Sequence, residues 1–140
     1  MKRIVLVLLF LGILNMFGCS KPSNPEAEAG ALTAAETWIA LVDNGQYAES
    51  WDEAAGFFRG AVPKEQWLQT MNAARKPFGK NISRKLKSKH YKTSLPGAPD
   101  GEYVVIQFKA SFENKKSAIE TITPMLDKDG TCRIAGYYMK

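Results

Sequence analysis

The spacing of apolar residues changes once along this chain, near Gly79, and the change separates predicted helices from predicted strands. From Ala31 to Asn44, Ala35, Trp38, Ile39 and Val42 recur at helical intervals, and Asp43-Asn44-Gly45 supplies a stop. Tyr47 to Phe58 predicts a second helix, with Tyr47, Trp51, Ala54, Ala55 and Phe58 on one side and Glu49, Asp52 and Glu53 on the other. A third starts at Pro63, a residue suited to a first helical turn, and aligns Trp67, Met71 and Ala74 before Pro77 and Gly79 end it. One indole per helix, each on the apolar side, predicts that Trp38, Trp51 and Trp67 share a core.

Beyond Gly79 the period is two. Ile82 to Leu95 reads as a polar strand and Pro96 to Gly101 as a turn cluster. Glu102 to Phe112 is a strand with Val104, Ile106, Phe108, Ala110 and Phe112 on one face. Reversals at Asn114-Lys115 and across Asp127 to Gly130 lead into strands at Ser117–Leu126 and Thr131–Met139. The expected fold class is α+β, with three helices on the concave face of a curved four-stranded antiparallel meander.

The N-terminus follows a different rule. Met1-Lys2-Arg3 is basic, Ile4 to Leu14 is almost unbroken apolar sequence, and Gly18 precedes Cys19. That order describes an exported signal, since a membrane span needs about 20 apolar residues. A cysteine at the cleavage point reads as a lipoprotein signal. Residues 1–18 are then removed, Cys19 is acylated, residues 19–30 form a lipidated flexible tether and 31–140 form one domain. Met16 and Phe17 stand where Leu and a small residue are usual, which leaves a plain signal peptide or an uncleaved anchor helix as alternatives. Ser20 after the cysteine, with no Asp, points to a periplasm-facing lipoprotein of the outer rather than the inner membrane.

Charge adds a polarity. The chain holds 19 Lys and Arg against 14 Asp and Glu. Ser20 to Gly60 carries Lys21 and Arg59 against seven acids, whereas Ala61 to Leu95 carries nine bases against Glu65 alone. With Cys19 acylated, Cys132 has no disulfide partner, and the fold depends on its core.

Several local words carry a resemblance. They are Trp38-Ile39-Ala40-Leu41-Val42-Asp43, Gly45-Gln46-Tyr47 with Ser50-Trp51, Leu95 to Val105, Glu120-Thr121, Asp129-Gly130, and Ala135-Gly136-Tyr137-Tyr138. From Ala34 to Tyr138 the chain resembles the bacterial envelope family known only as the domain of unknown function numbered four-zero-one-nine. The order of elements resembles the cone-shaped roll of nuclear transport factor two and its cystatin-like relatives. The family pattern has Trp after Asp-Gly-x where this chain has Cys132, which changes local packing. The resemblance implies a fold and brings no chemistry.

Candidate residues are few. Lys85, Lys87 and Lys89 alternate, so with Arg84 just upstream they predict a basic comb on one side of one strand, opposite Ile82 and Leu86. Such a comb suits anionic lipid headgroups, an acidic envelope protein, or protection of an edge strand from unwanted pairing. Export makes nucleic acid an unexpected partner. Pairing Glu113 with Lys116 sets Lys109 opposite Glu120, and a matching count sets Tyr137 beside Glu120. The three then share the convex face as a solvated ion pair and phenol, with proton transfer as the sharper alternative. His90, the only histidine, lacks flanking ligands, so neither a metal site nor a cofactor is expected. Cys132 shares an alternation with Ile134 and Tyr138 and reads as a core thiol.

The function expected is non-enzymatic: a lipid-anchored envelope protein working through its basic strand. The alternative is a small-molecule binder with a pocket between helices and sheet, lined by Trp51, Trp67, Phe108 and Phe112. An isomerase or hydratase like the pocketed rolls is the third reading, weakened by an inward face that reads as lacking acids.

Overall fold

The structure, a computed structural model, describes residues 23–140. The expected signal segment, Cys19 and residues 20–22 of the expected tether lie outside the described residues. Helices α1 (Pro25–Asp43), α2 (Tyr47–Asp52), α3 (Gly56–Ala61) and α4 (Lys64–Ala74) precede a 3₁₀ turn at Lys76–Phe78. Strands β1 (Asn81–Lys92), β2 (Tyr103–Phe112), β3 (Lys115–Leu126) and β4 (Cys132–Met139) follow, antiparallel and in sequence order. This is the expected α+β arrangement of helices and an open meander. Core residues of the helices meet Val104, Ile106, Phe108, Ile122 and Ile134, and α1 touches all four strands. Lys85, Lys109 and Tyr138 stand exposed on the opposite face.

The helices differ from expectation in two ways. α1 starts at Pro25, so residues 25–30, expected in the tether, are helical. Asn24 makes this start: its Oδ1 accepts the Ala27 N–H at 3.1 Å, and Pro25 fills a first-turn position that needs no N–H partner. The helix expected over Tyr47–Phe58 is broken in two. There the Ala55 N–H donates to the Ile134 carbonyl at 2.8 Å and the Gly56 N–H to Asp127 Oδ2 at 3.1 Å, so the sheet takes donors a continuous helix would use. Trp38 and Trp67 are buried, but Trp51 is only half-buried, its indole N–H held by the Val62 carbonyl and its ring under Arg59 and Lys64.

Four bulges set the faces of the strands. β1 gains an extra residue at Ile82 and again at Lys87. β3 gains one beside Ser111 of β2, because Phe112 pairs with Lys115 across a Glu113-Asn114 turn while Ala110 pairs with Ala118. β4 gains one at Ala135, between the Pro124–Ile134 and Thr123–Gly136 pairs. Each single-residue insertion turns the following side chains to the other face.

Candidate functional site

The β3 bulge relocates the expected cross-strand trio. Glu120 pairs with Phe108, not Lys109, and therefore faces the helices, where it is 0% exposed. Lys109 pairs with Ile119 and stays in solvent. The expected Lys109–Glu120 ion pair is thus absent, and the inward face does contain an acid. Tyr137 follows Glu120 inward because the Ala135 bulge pairs it with Ile122, diagonal to Glu120. The same bulge puts Tyr138 outside at 62% exposure, away from the Cys132–Ile134 alternation on which it was expected.

What forms around Glu120 is a closed ionic cluster. Its Oε1 accepts Arg84 Nε at 2.7 Å and its Oε2 accepts the Tyr137 hydroxyl at 2.6 Å. The remaining fork of Arg84 grips Asp43 at the end of α1, at 2.7 and 3.0 Å. Arg75, after α4, donates to the same Asp43 at 3.1 Å and to the Gly79 carbonyl at 2.8 Å, with its guanidinium 4.5 Å from the centre of the Phe112 ring. Two cations and two anions balance. Burial pulls the Arg84 pKa down, but its bonds to Asp43 and Glu120 outweigh this and carry it above its ordinary value. Burial, then the Glu120 charge and hydrogen bond, raises the Tyr137 phenol far above its usual range. Both groups hold their protons at any physiological pH.

Aromatic rings fill the space beside this cluster. Tyr137 lies edge-on to Trp38 at 5.5 Å, Trp38 lies 6.2 Å from Trp67, and Trp67 meets Phe58 edge-on at 5.1 Å. Ser50 satisfies both indoles, its carbonyl accepting from Trp38 at 2.8 Å and its hydroxyl oxygen from Trp67 at 3.0 Å. The expected pocket of Trp51, Trp67, Phe108 and Phe112 does not assemble: Phe112 belongs to a separate small cluster with Ala110, Ala118 and Phe78.

The basic comb is also divided. Arg84 points inward into the cluster just described. Lys85 pairs with Lys109 on the helix-free face, Lys87 sits exposed in the bulge, and Lys89, beyond the bulge, pairs with Ile106 on the helix side, 3.8 Å from Glu28. His90 is exposed on the helix-free face opposite Val105. The charge asymmetry of the sequence is partly offset by ion pairs. Lys64, Arg75, Arg84 and Lys89 pair with acids of α1 and α2, whereas Lys85, Lys87, Lys92 and Lys109 have no ion-pair partner among the described residues.

Two cavities lie along the Ala27–Leu41 face of α1. An apolar slot of about 170 Å³ lies between Ala27 and Gly30 on the helix and Val104, Met125 and Leu126 on the strands. Glu102 and Tyr91 also line it, the phenol donating to the carboxylate at 2.9 Å. Farther along, a groove of about 570 Å³ has Trp38, Leu41 and Ile134 in its wall and Glu49, Asp52 and Glu53 beside them. Cys132 lines both, half-buried, and burial raises its thiol pKa. Among the described residues no group of three or more His, Cys, Asp or Glu is placed to hold a metal ion, and no helix is long and apolar enough to cross a membrane.

The neighbourhood of Tyr137 and Glu120 was legible in the sequence, on the wrong face; their union with Arg84, Asp43 and Arg75 was not, because the members meet only through bulges in the strands. Comparison with curated proteins and with solved structures finds no match. The family model described as protein of unknown function (DUF4019) matches residues 34–137. That match spans the helices from mid-α1, the whole sheet and the cluster between them, and the chain belongs to the DUF4019 family.

Proposed function

We propose that this protein is a non-enzymatic, lipid-anchored envelope domain that works by contact, applying the helix-free face of its sheet to an anionic surface. The observation that carries the reading is the Lys85–Lys109 pair. Like charges directly opposite each other on neighbouring strands destabilise a sheet, and neither lysine has an acidic partner among the described residues. Lys92 and His90 extend the same face along β1, and Lys87 stands at its edge. An anionic partner relieves that repulsion, and the Met1–Cys19 signal order supports a membrane as that partner.

The absence of enzymatic activity is part of the reading. The carboxylates of half-buried Asp43 and buried Glu120 accept from arginines and a tyrosine at every oxygen, so neither presents an unengaged oxygen to a substrate. Edge protection explains Lys87 in its bulge but not Lys109, which lies on an interior strand. The test is association of residues 23–140 with vesicles. Phosphatidylglycerol vesicles should retain the protein at low salt, phosphatidylcholine vesicles should not, and retention should fade as the Debye length shrinks to about 8 Å at physiological ionic strength. Equal retention by both lipids, or by neither, refutes the reading.

A further inference from the structure

We propose that the groove along α1 holds an acyl chain carried by Cys19 of the same polypeptide. This rests on the lipid-anchor reading above and says where one of the anchor's chains goes. The two cavities follow one face of α1, the first at Ala27 and Gly30 and the second at Ala34, Trp38 and Leu41, with Cys132 of β4 in the wall of both. From Ala27 to Leu41 is about 21 Å at the helical rise of 1.5 Å per residue. That is the span of an extended palmitoyl-length chain. Inside the first cavity the lining is almost wholly apolar, and a Cβ built on Gly30 meets nothing within 4 Å, so the helix leaves room there.

The entrance argues for this occupant over others. The described chain begins at Ser23, two residues before α1, and Cys19 is six residue steps from Pro25 in sequence, a reach of about 22 Å at most. An acyl chain on Cys19 therefore starts within reach of the slot. Glu102 lines that end of the groove, and its carboxylate repels the carboxylate of a free fatty acid. A chain linked through an ester or amide carries no charge and meets no such opposition. Along the second cavity the carboxylates of Glu49, Asp52 and Glu53 lie beside the apolar wall of Trp38, Leu41 and Ile134, and their solvent exposure keeps them in water while a tail lies below.

The experiment feeds cells expressing the full chain a palmitic acid analogue bearing a photoreactive diazirine, then illuminates the purified protein and maps the cross-links by mass spectrometry. The expected result is probe on Cys19 cross-linked within the same polypeptide to peptides containing Gly30, Met125 or Cys132. Gly30→Leu, which fills the slot from a position with free space, should lower that cross-link several-fold while leaving acylation of Cys19 and the melting transition in place. Probe on Cys19 that cross-links only to phospholipid overturns this inference alone, as does a cross-link undiminished by Gly30→Leu. Absence of probe from Cys19 overturns the anchor reading and this inference with it.

Discussion

Glu120 is the residue on which sequence and structure part most sharply. Counted through an ideal two-residue reversal it faces Lys109 on the outside of the sheet; one residue of slip turns it into the core, against Arg84 and Tyr137. The two placements predict different energetics. Glu120→Gln should lower stability by about 3–5 kcal/mol, because it leaves the buried Arg84 guanidinium short of a charge. Lys109→Gln should stay within about 0.5 kcal/mol of wild type or stabilise slightly by easing the Lys85 repulsion. Urea midpoints of the two variants check this; small and equal losses would restore the solvated pair. Cys132 offers a second residue-scale test. Its thiol pKa is raised by burial, so its native alkylation rate should keep climbing with pH beyond the point where an unfolded-state thiol levels off. A native profile that coincides with that of the urea-unfolded protein would contradict the burial.

At the scale of elements, existence was legible and register was not. The change of period near Gly79 marks helices before strands because hydrophobic spacing is set by backbone geometry, which the sequence states directly. A bulge leaves no such mark. Ile82, Lys87 and Ala135 are ordinary strand residues, and only tertiary packing selects them as extras. The α2–α3 break was hidden for the same reason, since its donors are claimed by Ile134 and Asp127 from the far end of the chain. α1 was read short because Asn24-Pro25 serves equally as a tether and as a helix cap. Gly79 is a point where sequence and structure agree. It ends the helical region at φ 75°, and an added Cβ would lie 2.6 Å from Glu113 Oε2. Its carbonyl also fixes Arg75. Gly79→Ala should therefore cost about 1–3 kcal/mol, read as a drop in melting temperature, and a variant that melts with wild type would mean the turn is not held as described.

For the whole molecule, the basic excess in the middle of the chain looked like a single patch and is in fact divided. Arg75, Arg84 and Lys89 pair with Asp43 and Glu28 of α1, whereas Lys85, Lys92 and Lys109 line the face that no helix covers. That division confines the proposed contact to one face, with the proposed anchor at Cys19 supplying proximity and the sheet supplying orientation. The most direct measurement is the affinity of residues 23–140 for phosphatidylglycerol vesicles, compared between wild type and Lys85→Gln/Lys109→Gln. At about 1 kcal/mol per lysine near a charged surface, the double variant should bind roughly 30-fold more weakly, with its melting temperature equal to wild type or slightly higher because the Lys85–Lys109 repulsion is gone. An affinity that the double change leaves intact would contradict the account.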